Sequence, residues 1–249
     1  FIDRFFEQQG ASLTNSLVQG LLQLMDLSDN DLLDLLLAGE DPKSGRRMTT
    51  AELRDNLLTF IVAGHETTAT AMTWWSGLIA RHPEVAERIH AEVDAVLQGK
   101  TPTPDTLQQL PWLQASLKEA MRLYPPAWVI GRRNVTEDEI GGYRVPKGYN
   151  LLIPVYHIHR DPAIWENPEQ FDPERFRKGK LKDKHRFAYF PFGGGPRLCI
   201  GNNFALMEMQ VVVAMMVTRF RFKHVPTHQV ALDPLITLRA KHGMMMTVE

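Results

Sequence analysis

The sequence holds a single cysteine, Cys199, among 249 residues. Counting alone excludes an intramolecular disulfide and a multi-cysteine zinc site, and it fits a reducing compartment. No stretch approaches the roughly 18 uninterrupted apolar residues of a membrane-spanning helix. An excess of either charge is missing too, since 28 Lys and Arg stand against 29 Asp and Glu, a formal net charge of -1. That balance leaves no electrostatic footprint for nucleic acid or for an anionic membrane surface. The first residues, FIDRFFEQQG, lack the build of a signal peptide, there are no repeats, and the expected location is cytoplasmic.

What is present is the composition of an ordinary globular chain, 44% hydrophobic and 23% charged. FIDRFFEQQ, LTNSLVQGLLQLM and NDLLDLLLAGE carry apolar residues at i, i+3, i+4 and are expected as core helices. EDPKSGRR is a polar turn, and TTAE at 49 to 52 is a capping box opening the next helix. That helix is expected over 50 to 82, where Pro83 stops it; about 33 residues span roughly 50 Å. EVAERIHAEVDAVLQ follows, with Pro83 in its first turn and Gly99 closing it, and then PWLQASLKEAMRLY, a helix at about 111 to 124.

Between about 127 and 159 the apolar period shortens, and WVIGRRNV, GGYRVPKG and LLIPVYHIH are expected as short strands. A loop rich in proline and aspartate leads to YFPFGGGPRLCIG and a helix at about 202 to 220. The tail VALDPLITLRAKHGMMMTVE reads as a β-hairpin, with Met244 to Met246 in a core strand. The fold class is mainly α with a small β portion, α+β.

Two stretches carry chemistry. AGHETTAT, 63 to 70, interrupts the long helix with a glycine, an acid and two threonines. His65 and Glu66 begin like a HExxH zinc pair, but Ala69 stands at the fifth position and excludes it. His65 is expected as a partly exposed side chain. The hydroxyl of Thr67 has an ordinary use as well, bonding back to the carbonyl four residues earlier. The second stretch, FGGGPRLCIG at 192 to 201, sets Cys199 between three glycines and the start of a helix. Glycines let a backbone approach something large and flat, and the helix start aims N–H groups back toward the sulfur, a setting that suits a metal-binding thiolate. A buried inert cysteine and a Cys-His nucleophile are the alternatives, although no local signature of a cysteine protease is present.

FGGGPRLCIG resembles the haem-binding loop of the cytochrome P450 family, Phe-Gly-x-Gly-x-Arg-x-Cys-x-Gly, at every fixed position. The resemblance implies haem b held by Phe192, Gly193, Arg197, Cys199 and Gly201, with Cys199 as the iron ligand and Arg197 and Arg132 as cations for the propionates. Arg133 and Arg160 are expected as surface or strand-end charges. Glu119 and Arg122, three apart on a helix, form by spacing alone an ordinary surface pair. KEAMRLYP and the downstream PERF together resemble the family's Glu-x-x-Arg and its partner segment, which implies a structural cluster of Glu119, Arg122 and Arg175.

AGHETTAT resembles the family's acid-threonine motif in the helix that crosses the haem. It implies room for dioxygen at Gly64 and a proton relay through Glu66 and Thr67. The segments near Ala63, 127 to 130 and 235 to 237 would line an apolar substrate pocket. The likeness covers only the C-terminal part of the family, so the expected fold is the cytochrome P450 fold with its N-terminal part missing, as in a fragment or a short member.

The implied activity is a monooxygenase acting on a small hydrophobic substrate, fed electrons from NAD(P)H by a separate ferredoxin, flavodoxin or reductase. A peroxygenase driven by H2O2 is a second reading, against which the acid-threonine pair argues. A non-catalytic haem-binding module is a third.

Overall fold

The computed structural model describes residues 32 to 177 and 179 to 249. Two of the expected helices, FIDRFFEQQ and LTNSLVQGLLQLM, lie outside the described residues. The chain divides into one unit ending at Val62 and another spanning Ala63–Glu249. In the first, helix α1 (Leu32–Ala38) leaves Leu35 and Leu37 largely exposed and Leu36 half-buried. The capping box forms as read: Thr49 N–H donates to Glu52 at 2.8 Å and Glu52 N–H to Thr49 Oγ1 at 3.3 Å. These bonds fill two of the donors that a helix start leaves unpaired.

The capped helix, α2 (Thr50–Ile79), is 30 residues long, about 45 Å, and contributes to both units. It ends three residues before the position expected. Pro83 then opens α3 (Pro83–Leu97), and Gln98 and Gly99 close it with φ of 51° and 78°. A short helix not foreseen, α4 (Pro104–Leu107), carries its own capping box between Thr103 and Thr106. Helix α5 (Pro111–Leu123) begins on a carboxylate borrowed from α3: Glu92 accepts the N–H groups of Trp112 and Leu113, each at 2.9 Å. A negative group there offsets the positive end of the helix dipole.

The core of the second unit is built by helical spacing. On α3 the buried positions Val85, Ile89, Val93 and Leu97 recur every four residues and face Leu113, Leu117 and Met121 of α5 within one apolar cluster. The cluster also takes Trp75 and Ile79 of α2, and Met209, Val213 and Val217 of α7 (Asn202–Val217). Each such side chain contributes roughly 1.5–3 kcal/mol on burial. Trp75 satisfies its indole N–H inside the core by donating to Ser116 at 2.8 Å.

Among the described residues, the β portion is four two-stranded antiparallel sheets. β1 (Ile130–Arg133) pairs with β4 (Asn150–Ile153), and between them β2 (Asp138–Ile140) and β3 (Tyr143–Val145) form a hairpin. VYHIH, expected as strand, is instead helix α6 (Val155–Ile158). Pro154 has no N–H for a ladder, and its carbonyl accepts the N–H groups of His157 and Ile158 at 3.0 Å each, which starts a helical turn.

The tail also departs from a single hairpin. β6 (Leu232–Pro234) and β7 (Leu238–Ala240) form one, whereas β8 (Met246–Val248) pairs with the distant β5 (Phe222–His224). Only Met246 of the three methionines lies in a strand. Met245 is exposed, and the thioether of Met244 sits where a Cβ on Gly77 would be, 2.5 Å away. Among the described residues, no helix is long and apolar enough to cross a membrane.

Candidate functional site

Buried Phe190 and Pro191 hand the chain to a loop that turns back on itself. The Gly193 N–H donates to Phe190 O at 2.9 Å, and the Cys199 N–H to Phe192 O at 3.0 Å. Gly193 and Gly195 take φ of 75° and 69°, which strains any residue with a Cβ. A Cβ on Gly193 would touch Ile130 at 3.5 Å, and one on Gly194 would stand 2.5 Å from the Phe187 ring, so the loop is pressed between β1 and that ring.

Cys199 lies exposed three residues ahead of α7, whose N-cap Gly201 has no side chain; the Asn203 N–H donates instead to Asn202 Oδ1 at 2.7 Å. Its neighbours are apolar yet open: Leu198, Ile200 and Phe204 are exposed, Ile200 at 85%. Arg197 is exposed, and its side chain bonds to no described residue. Arg132 on β1 is half-buried and, among the described residues, donates only to the carbonyl of Gly131, at 2.9 Å. A thiol, an apolar surround, a glycine-flattened backbone and two guanidinium groups unpaired with any described carboxylate suit one large, flat ligand bearing carboxylates.

Behind the loop the chemistry is closed. Arg122 and Glu119, both fully buried, meet in a two-pronged pair at 2.7 and 2.8 Å. The remaining Arg122 N–H groups go to the carbonyls of His159 (2.7 Å), Pro168 (2.8 Å) and Gln170 (3.1 Å), so all five donors of the guanidinium are used. Glu119 Oε1 also accepts the Asp172 N–H at 3.0 Å and faces Arg175 Nε at 3.4 Å. Burial holds the Glu119 carboxyl above its usual range, and the Arg122 hydrogen bonds offset only part of that rise. The 3-10 helix Pro173–Phe176, which carries PERF, is tied to α5 through this group.

Arg160 corrects the expectation of a surface charge, because its side chain is only 8% exposed. Its guanidinium stacks 3.8 Å from the Tyr156 ring, stands 5.1 Å from that of Tyr124, and pairs with Glu169 at 3.1 Å. Arginine is weakly hydrated and tolerates such a sandwich. Arg133 is exposed, as is His65.

On α2, the Thr67 hydroxyl donates to Ala63 O at 2.7 Å, the helix back-bond. A Cβ added to Gly64 would meet nothing within 4 Å. Glu66 does not stand free, for Thr237 and Arg239 of the β6–β7 hairpin hold it. Sequence reading gave Thr237 as a pocket-lining residue and did not name Arg239. The one available signal was alternation: in LITLRA, Thr237 and Arg239 share a strand face opposite Leu238.

Comparison with known proteins gives the family and the fold. The family model of cytochrome P450 matches residues 1–245. A Mycobacterium tuberculosis protein designated cytochrome P450 132 is 44% identical over 214 residues, 86% of this chain and 45% of its own length. Cyclooctat-9-en-7-ol 5-monooxygenase of Streptomyces melanosporofaciens is 40% identical over 196 residues, 79% of this chain and 43% of its own. The crystal structure of a mutant cytochrome P450DA heme domain matches with a TM-score of 0.90 at 30% identity, covering 100% of this chain and 55% of that one. The chain thus spans about half the length of the relatives it matches, and with its mixed helices and small sheets it belongs to the cytochrome P450 family.

Proposed function

We propose that the protein is a haem-thiolate monooxygenase that inserts one oxygen atom from O2 into a small hydrophobic substrate. Electrons would come from NAD(P)H through a separate ferredoxin, flavodoxin or reductase. The observation that carries this reading is Cys199, exposed on a glycine-framed loop three residues before α7. The residues fit haem b: Cys199 for the iron, Arg197 and Arg132 for the propionates, and Phe192, Gly193 and Gly201 for the backbone on which the porphyrin rests. Bound there, the haem would supply dioxygen activation, with the thiolate favouring O–O cleavage.

The chain's own residues do the rest. Glu66 and Thr67 hold and pass protons, and Gly64 keeps a side chain out of the space above its turn. Glu119, Arg122 and Arg175 fix the segment behind the cysteine loop. Exposed Leu235 and Ile236, with the apolar stretch at 127 to 130, support an apolar substrate. A single, exposed cysteine supports a cytoplasmic setting.

The test is turnover of apolar substrates with NAD(P)H and an electron-transfer partner against turnover with H2O2 alone. The expected result is product only with O2 and electrons, and Thr67→Ala consuming oxygen without matching product. Turnover with peroxide alone would make the protein a peroxygenase. Haem binding with no turnover under either condition would make it a non-catalytic haem module.

A further inference from the structure

The Glu66 carboxylate is gripped on one oxygen. Thr237 Oγ1 donates to Oε1 at 2.5 Å, and Arg239 brings Nε to 2.8 Å and Nη2 to 2.5 Å of the same atom. Among the described residues, Oε2 accepts no hydrogen bond. An arginine fork usually gives one N–H to each carboxylate oxygen, as Arg122 does to Glu119.

The grip is built from parts far apart in sequence. Glu66, Thr70 and Trp74 lie on one stripe of α2 at i, i+4 and i+8. Trp74 fastens the hairpin by donating from its indole to Leu238 O at 2.7 Å. The Leu238 N–H donates to Pro126 O at 3.0 Å, and the Trp128 indole to Leu235 O at 2.9 Å. With Leu238 so pinned and buried, strand alternation turns Thr237 and Arg239 together onto Glu66.

We propose that Thr237 and Arg239 are positioning residues that fix Oε1 of Glu66, leaving Oε2 as the oxygen through which this side chain takes and gives up protons. The proposal rests on the relay reading given above. The Thr237 hydrogen bond, then the hydrogen bond and charge of Arg239 and the nearby charge of His65, hold the carboxyl below its usual range. The other charged group on the hairpin beside it is Asp233, which stands opposite Arg239 in the strand register. A proton arriving on Oε2 neutralises the carboxylate against its arginine, so it is readily passed on, and the ion pair restores the ionised form. The clamp therefore favours delivery of protons over their storage.

The test uses the haem-loaded protein in its reduced, carbon monoxide-bound form, with glutamate labelled at the carboxyl carbon and Glu66→Gln to assign the signal. Infrared titration should show the Glu66 pKa rising by about one unit or more in Arg239→Ala, rising in Thr237→Val, and largely restored in Arg239→Lys. An unchanged Soret band in these variants confirms an intact haem site. Product formed per O2 consumed should fall several-fold in Arg239→Ala and recover in Arg239→Lys. A Glu66 titration unmoved in both Arg239→Ala and Thr237→Val overturns the clamp, whatever Glu66→Gln does to coupling. A moved titration with full coupling in Glu66→Gln upholds the clamp and overturns the relay.

Discussion

Two glutamate–arginine pairs in this molecule do opposite things. Glu119 and Arg122 are wholly buried, and every donor of the arginine is spent. Glu66 and Arg239 are partly open, with side chains 36% and 49% exposed, and leave one carboxylate oxygen free of described partners. A saturated pair has nothing left to exchange, so it holds structure. An unsaturated pair at the surface of the long helix holds little and, on the relay proposed above, keeps a proton site available.

The largest expected effect breaks the closed pair. Arg122→Leu leaves Glu119 buried without its partner and should cost about 3–5 kcal/mol or prevent folding, read by urea unfolding. Acid attacks the same region through His159, whose buried imidazole accepts the Phe190 N–H at 3.0 Å. Burial depresses its pKa from 6.5 to about 3. The folded form stays neutral while the unfolded chain takes up the proton, so the stability is complete above pH 6.5 and is lost as pH falls toward 3. The loss is roughly 1.4 kcal/mol per pH unit, or about 2 kcal/mol between pH 6.5 and 5. His159→Asn should flatten that slope in unfolding curves taken across the interval.

Two glycines on one helix extend the contrast. Gly77→Ala puts a Cβ 2.5 Å from the Met244 thioether; the methionine can move, and a net loss of about 1 kcal/mol is expected despite better helix propensity. Gly64→Ala meets nothing and should gain roughly 0.5–1 kcal/mol, while product formation falls. Thermal unfolding of the two variants should shift in opposite directions. The smallest change in stability is expected for Arg239→Ala, within about 1 kcal/mol of the parent, because an exposed pair contributes little.

Much of this was legible in local spacing. The cysteine loop, the box at Thr49 and Glu52, and the buried stripe of α3 are all fixed within a few residues, whereas spacing alone gave Glu119 and Arg122 as a surface pair and only the family resemblance implied their cluster. What the sequence hid depends on distant partners. Arg160 is buried because two tyrosines and Glu169 meet it there, and β8 finds β5 instead of its neighbour. Arg239 reaches Glu66 across 173 residues, a contact no window of the sequence displays. The turn at Pro154 was readable in principle, since a proline cannot continue a central ladder.

The most direct measurement is the absorption spectrum of the purified protein, reduced and exposed to carbon monoxide, beside that of Cys199→Ser. The account predicts a strongly red-shifted Soret band in the parent that is lost in the variant. A parent that binds haem with an unshifted band, or a Cys199→Ser protein that keeps the shift, would contradict thiolate ligation by Cys199.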